Sequence, residues 1–156
     1  MTTTTRWMIR RDMNEVLQIE RGSFDEPWLE ADFMAVLRNR SCIGLVAERG
    51  ERVVGHMIYE LDDHAMNILN LAVAPDARRI GVGRAMVAKL IGKLRPGRSR
   101  LNVTVRDSNL DAQLFYRALS FRAVQVLRGL FGEGNDGYVM RYTLPVVVMT
   151  HKEKQS

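Results

Sequence analysis

The chain has 156 residues, of which 46% are hydrophobic and 26% charged, as in an ordinary folded domain. This length fits one domain, and no apolar run is long enough to cross a bilayer, so the composition excludes disordered and membrane-spanning proteins and predicts no membrane partner. The N-terminal MTTTTR has no apolar signal-peptide core, and a single cysteine cannot form an internal disulfide, so we expect a cytoplasmic protein. The surrounding SCIGLVA predicts that this cysteine, Cys42, is buried in a strand.

The formal net charge is +5, from 23 basic and 18 acidic residues. Eight basic residues lie close together in the chain: Arg78, Arg79, Arg84, Lys89, Lys93, Arg95, Arg98 and Arg100. Such a cluster suits a phosphate-bearing ligand or nucleic acid, although a solvated helix face is the alternative for lysines at helical spacing. The histidines at 56, 64 and 151 lack metal-ligand spacing, so we expect no metal site.

The first half of the chain predicts two helices and four strands. Asp12, with Glu15 three residues later, has the capping-box pattern of a helix start, and the turn at Gly50 and Glu51 predicts a hairpin. A polar break, DDHA, precedes the last run. The predicted elements are a strand over 5–11, helices over 12–20 and 28–39, and strands over 41–49, 52–61 and 66–73.

The second half continues this alternation. Val82, Met86 and Leu90 mark one face of a helix that Pro96-Gly97 ends. The remaining predicted elements are a strand over 99–106, a helix over 109–119 and strands over 121–129 and 137–144. We therefore expect an α/β (α+β) fold with a mixed, mostly antiparallel sheet of about seven strands and about four helices.

The stretch LAVAPDARRIGVGRAMVAKLI (71–91) joins a strand to a helix through the pattern R-x-x-G-x-G, with Arg78, Gly81 and Gly83. Glycines let the backbone approach a ligand, and a helix N-terminus presents unpaired N–H groups, so the pattern predicts an anion site. The chain lacks the third glycine near Met86 that a dinucleotide-binding fingerprint requires, and it lacks the Gly-Lys-Ser or Gly-Lys-Thr of a Walker loop. Neither of these nucleotide-binding motifs is therefore present. A plain strand, turn and helix without a ligand is the alternative.

With these residues the chain resembles the GNAT acetyltransferase superfamily, whose acetyl-CoA motif has the form R-x-x-G-x-G after a V-x-P strand end. The segment 105–121 resembles the family's second signature, with Asn109, Tyr116 and Phe121 at its characteristic positions. FDEPW (24–28) resembles the RimI-like branch, which acetylates the N-terminal amine of a small-subunit ribosomal protein. The resemblance spans about 6–144 of an expected single domain, 1–156. The tail 145–156 has no counterpart, and its apolar start predicts an edge strand or a self-association surface.

The resemblance implies transfer of acetyl from acetyl-CoA to an amine, without a metal. It implies that strand 71–73 holds the pantetheine arm, that an N–H near Val73 stabilises the oxyanion and that Tyr116 assists the departing thiolate. The implied cofactor-binding residues are Leu71, Ala72, Val73, Arg78, Arg79, Ile80, Gly81, Val82, Gly83, Arg84, Asn109 and Tyr116. The implied acceptor-side residues are Phe24, Trp28, Asn70, Thr104, Leu130 and Phe131.

Thr104 departs from the family, because RimI-like enzymes carry a glutamate at this strand position. Threonine is not a general base at physiological pH. An α-amine with a pKa of about 7.8 is about a tenth neutral at pH 7, so an N-terminal acceptor tolerates a missing base better than lysine. Glu60 is the candidate base through water, against the alternative of a solvated strand carboxylate. Leu130 and Phe131 stand where the branch often has tyrosines, so we expect a different peptide preference.

Two classes of function stay open on the sequence. The first is an acetyltransferase acting on a protein N-terminus, such as that of a ribosomal protein, with a lysine or small-molecule amine as the alternative acceptor. This activity requires no nucleic acid. The second is a CoA-binding module without turnover, or one whose basic segment contacts RNA. Thr104 slightly favours the second class, whereas Asn109 and Tyr116 favour the enzyme.

Overall fold

The computed structural model describes residues 2–146, which form seven strands and four α-helices. The tail strand or self-association surface predicted for 145–156 lies outside these residues, apart from Pro145 and Val146. The strands are β1 (Thr3–Trp7), β2 (Cys42–Arg49), β3 (Arg52–Leu61), β4 (Ala65–Val73), β5 (Arg100–Arg106), β6 (Arg122–Leu127) and β7 (Gly137–Thr143). The helices are α1 (Met13–Ser23), α2 (Glu30–Leu37), α3 (Val82–Ile91) and α4 (Leu110–Ala118).

The strands form one sheet in the order β1-β2-β3-β4-β5-β7-β6, and the predicted mixed α/β fold is confirmed. Among the described residues, the central β4–β5 pair is parallel and every other pair of neighbouring strands is antiparallel. β4 and β5 are paired only from Ala65 and Arg100 to Ile68 and Val103. Beyond Ile68 the two strands separate, and this splay opens a cleft in the middle of the sheet.

Helices cover both faces of the central strands. A Cβ added at Gly55 of β3 would lie 2.9 Å from Met86 of α3, whereas the next residue, His56, contacts Glu20 of α1. Successive side chains of a strand point to opposite faces, so α1 and α3 pack on opposite faces of the sheet. This explains the nearly continuous apolar run of β3, whose residues 53–59 are all buried.

The predicted capping box at Asp12 is wrong. Asp12 lies in a short 3-10 turn before α1, where its carboxylate accepts from the N–H of Ile9 at 2.8 Å and pairs with Arg6 at 2.7 Å. Glu15 instead accepts from the N–H of Val53 in β3 at 3.0 Å. Both carboxylates therefore hold α1 against the sheet, and the 3-10 turn also ends the first strand earlier than predicted.

Cys42 is half-buried, and not fully buried as the sequence predicts. It begins β2 and lies opposite Glu60 of β3. Partial burial, with a smaller contribution from the negative charge of Glu60, raises the pKa of the Cys42 thiol. The thiol therefore stays protonated at neutral pH, which agrees with a structural and not a nucleophilic cysteine.

Asp12→Asn is expected to lower the free energy of unfolding at pH 7 by about 1–3 kcal/mol, because Asp12 is buried and hydrogen-bonded to Arg6. The hydrogen bonds from Arg6 hold the pKa of Asp12 below its ordinary value. This stabilisation is therefore present above the unfolded pKa and lost as the pH falls through the folded pKa. Urea unfolding at pH 7 and at a pH below the folded pKa of Asp12 measures the change, with exposed Asp63→Asn as control. An equal loss at both pH values would contradict the ion-pair explanation.

Candidate active site

The cleft between the separated ends of β4 and β5 has a volume of about 220 Å³. Its walls come from β4 (residues 68–71), β5 (103–106), α1, the α1–α2 loop, the start and end of α4, and the β6–β7 loop. The predicted residues that line it are Phe24, Trp28, Asn70, Leu71, Thr104, Asn109, Tyr116 and Phe131. Residues far apart in the sequence are thus brought to one place.

Of the other predicted residues, Ala72, Val73 and 78–84 lie at the end of β4 and in the segment that follows it, and Glu60 and Leu130 lie elsewhere. Glu60 pairs in register with Asn67 of β4, before the splay begins, and does not line the cleft. The structure therefore does not support a base at Glu60. Leu130 is half-exposed and packs beside the cleft: a Cβ added at Gly137 would lie 2.9 Å from Leu130 and 3.1 Å from Thr104.

Two backbone N–H groups of β4 face the splay. Ala74 donates its N–H to the C=O of Val54 in β3 at 2.8 Å. Backbone groups of successive strand residues point to opposite edges, so those of Val73 and Leu71 face β5, which is no longer paired here. By the same alternation the groups of Ala72 face β3, so the cofactor contact predicted for Ala72 does not come from its backbone. Leu71 and Val73 thus leave N–H donors for a ligand.

The turn after β4 is built around unusual backbone conformations. Arg79 has φ 63° and Gly81, which precedes α3, has φ 90°, a region that glycine adopts without strain. Arg78 donates to the C=O of Val73 at 3.1 Å and to the hydroxyl of Ser23 at 3.2 Å, and so fastens the turn to β4 and α1. The N–H groups of the first α3 turn have no partner within the helix, so this end of α3 presents free donors, and the anion site stays a prediction.

Close packing also explains why position 83 is a glycine. A Cβ at this position would lie 3.2 Å from the ring of Phe115 in α4 and 3.6 Å from the side chain of Val73. Glycine therefore lets α3 begin directly against α4 and β4. A bulky residue here would displace Phe115 as well as alter the turn, so its effect would not report on ligand binding alone.

Tyr116 lies near the end of α4 and reaches the cleft. Asn109 caps this helix by accepting from the N–H of Ala112 at 3.0 Å. The Tyr116 ring packs against Phe115 and Phe121, at centroid distances of 4.9 and 5.1 Å. Burial raises the pKa of Tyr116 above its ordinary value, so the hydroxyl stays protonated at neutral pH and acts as a hydrogen-bond donor.

A buried polar network beside the cleft was not predicted. Glu20 of α1 contacts Nε2 of His56 at 2.9 Å, accepts from Nδ2 of Asn70 at 2.9 Å and accepts from the N–H of Trp28 at 3.0 Å. The sequence carried two signals: Glu20 shares the buried face of α1 with Val16 and Ile19, and His56 interrupts an apolar strand. The network fastens the α1–α2 loop to the core of the sheet.

A second unpredicted cluster lies at the rim. Arg106, at the end of β5, pairs with Glu26 of the α1–α2 loop at 3.2 Å. Its guanidinium also lies 4.2 Å from the centre of the Phe131 ring in the β6–β7 loop. Arg106 therefore joins the two loops that flank the cleft.

Comparison with known proteins identifies the family to which the chain belongs. The sequence profile described as "Acetyltransferase (GNAT) family" matches residues 13–121. The chain is 25% identical over 143 residues to an N-alpha-acetyltransferase of Sulfurisphaera tokodaii, covering 83% of this chain and 86% of the relative. It is 29% identical over 121 residues to the [ribosomal protein bS18]-alanine N-acetyltransferase of Escherichia coli K12, covering 77% and 81%.

The fold is shared with Ard1 from Thermoplasma volcanium, with a TM-score of 0.83 at 23% identity, covering 94% of this chain and 100% of that one. It is also shared with the ribosomal-protein-S18-alanine N-acetyltransferase from Escherichia coli, with a TM-score of 0.79 at 24% identity, covering 96% of this chain and 97% of that one. Among the described residues, no helix has the length and apolarity to cross a membrane. The predicted family resemblance is confirmed, and the chain belongs to the acetyltransferase (GNAT) family.

Proposed function

We propose that this enzyme transfers the acetyl group of acetyl-CoA to the free α-amine of a peptide or protein N-terminus. The observation that carries the proposal is the splay of β4 from β5, which leaves the N–H groups of Leu71 and Val73 without a strand partner beside the cleft that Leu71 and Tyr116 line. Two curated relatives are named for N-terminal acetylation. The name of the E. coli relative supports a RimI-like acceptor, such as a ribosomal-protein N-terminus. The cytoplasm is the proposed location, as the sequence predicts.

The residues present fit acetyl-CoA. The backbone groups of Leu71 and Val73 would pair with the amides of the pantetheine arm, as a neighbouring strand would. The first N–H groups of α3 would hold the pyrophosphate, and the exposed guanidinium groups of Arg79 and Arg84 add positive charge at that end. Gly81 keeps this approach free of a side chain.

Bound acetyl-CoA supplies a thioester carbonyl that an amine attacks, so that a C–N bond forms and the C–S bond breaks. The N–H of Leu71 or Val73 donates to the carbonyl oxygen as its negative charge grows. Tyr116 donates a hydrogen bond to the departing sulfur, and its raised pKa keeps that proton available. Thr104 provides no carboxylate on β5, and the glutamates in the cleft wall already have partners, Glu20 in the buried network and Glu26 in its pair with Arg106. We therefore propose that the amine loses its proton to solvent.

A panel of peptides with different N-termini tests the proposed function. Each peptide is incubated with acetyl-CoA, and the reaction is followed by thiol release and by peptide mass. We expect one acetyl group per peptide, placed on the α-amine by fragmentation of the product. Thiol release without peptide modification, or no release with any amine, would contradict an N-terminal acetyltransferase.

CoA is expected to raise the Tm of the protein by about 5–10 °C at a hundredfold excess over Kd, because it binds only the folded state. Arg84→Glu is expected to remove most of this shift, because the new charge faces the phosphates at the start of α3. The matched control is Lys93→Glu, which makes the same charge change just beyond the other end of that helix. Equal shifts in both variants would overturn the phosphate site.

A further inference from the structure

On the cleft side of the buried network around Glu20, the carboxamide of Asn70 lacks one of its hydrogen bonds. Asn70 is only 7% exposed, lines the cleft and donates from Nδ2 to Glu20. Its other atom, Oδ1, is buried and has no hydrogen-bond donor among residues 2–146. A buried acceptor without a donor costs about 1–3 kcal/mol, so the site gains if a ligand supplies one.

The orientation of this carboxamide is fixed by its neighbours. Both oxygens of Glu20 are already acceptors, from His56 on one side and from Trp28 and Asn70 on the other. A carboxylate that only accepts requires the NH₂ end of Asn70 to face it. The Oδ1 end is therefore turned away from Glu20 and held as an acceptor.

The position of Asn70 identifies the donor that would reach it. Asn70 directly precedes Leu71, whose N–H faces the splay where the thioester carbonyl is expected. It lies on the face of the sheet covered by α1, as does Trp28 of the acceptor loop. An amine arriving from this side to attack the carbonyl carries N–H donors and passes the Oδ1 atom.

We propose that Asn70 Oδ1 accepts a hydrogen bond from the acceptor amine and orients its nitrogen towards the thioester, while Glu20 acts as a positioning residue for Asn70. This inference rests on the proposed function and adds the group that holds the nucleophile. A neutral carboxamide does not take the proton, so Asn70 selects and orients the amine without acting as a base.

The test measures binding without turnover. The protein is saturated with CoA, which has no acetyl group to transfer, and titrated by calorimetry with an acceptor peptide and with the same peptide whose α-amine is replaced by hydrogen. Wild type is expected to bind the amine peptide about tenfold more tightly or better, which corresponds to about 1.4 kcal/mol. Asn70→Leu is expected to bind both peptides with nearly equal affinity.

Asn67→Leu is the matched control. Asn67 lies on the same strand and is hydrogen-bonded to Asp62 and Asn102, away from the cleft, so this variant should keep the preference for the amine. The CoA-dependent rise in Tm verifies that each variant is folded. If Asn70→Leu shows no such rise, Asn70→Ala is used in its place. An undiminished preference in the folded Asn70 variant would overturn the inference, even if wild type acetylates N-termini. Failure of wild type to acetylate any amine would instead overturn the proposed function.

Discussion

Tyr116→Phe is expected to lower kcat by about tenfold to a thousandfold with little change in the affinity for acetyl-CoA. Phenylalanine keeps the ring that packs against Phe115 and Phe121, so the substitution removes only the hydroxyl. The hydroxyl matters most when negative charge develops on the departing sulfur, which is why kcat should fall while binding is kept. Steady-state kinetics at saturating acceptor, with acetyl-CoA binding measured separately, gives both quantities.

Tyr142→Phe is the matched control for this change. Tyr142 lies in β7, with its ring centre 6.0 Å from that of Phe121, and does not line the cleft. Its activity should stay close to that of wild type. Full activity in Tyr116→Phe would show that Tyr116 is a core tyrosine without a part in the transfer.

Peptides with a free α-amine are expected to be better acceptors, by about two to three orders of magnitude in kcat/KM, than the same peptides blocked at the N-terminus but carrying lysine. Without a carboxylate at Thr104, the rate should follow the fraction of acceptor that is already neutral. At neutral pH these fractions differ by that factor for pKa values of about 7.8 and 10.4. The measurement is acetyl transfer to each peptide by mass spectrometry across a range of pH.

The pH profile provides a second check on this preference. The kcat/KM value should rise with pH through the pKa of the acceptor itself and then level off. Glu60→Gln should leave the profile unchanged, because Glu60 does not line the cleft. Equal use of lysine in blocked peptides would refute the α-amine assignment, and a collapse of activity in Glu60→Gln would place the base on β3.

The order of elements could be predicted because each segment carries a local pattern. Alternating apolar residues mark strands, and the arginine and glycines after β4 mark a helix start of the kind that suits an anion. The sequence also pointed to Tyr116 and to the α1–α2 loop, and the structure places both on the cleft. The element predictions depend on neighbouring residues, which the sequence displays directly, whereas those for Tyr116 and the α1–α2 loop depended on the family resemblance.

The buried network could not be predicted in the same way, because its members are joined only by the fold. Glu20 is 36 residues from His56 and 50 from Asn70, and their contact depends on how α1 lies across β3 and β4. Glu60 shows the opposite difficulty: its strand was correctly identified, but only the register of β3 on β4 reveals that it precedes the splay. The capping box failed because Asp12 and Glu15 bond to partners outside the helix.

The early end of the β4–β5 pairing gives the two substrates different kinds of partner. In the proposed function the acetyl donor would meet mainly peptide groups of β4 and of the first turn of α3, which a residue supplies whatever its side chain. In the proposed function the acceptor would meet side chains on loops, such as Trp28 and Phe131, and at the end of β5, where Arg106 lies. Mutation can therefore alter the choice of acceptor while use of the donor persists, so new specificities can evolve on this fold without rebuilding its chemistry.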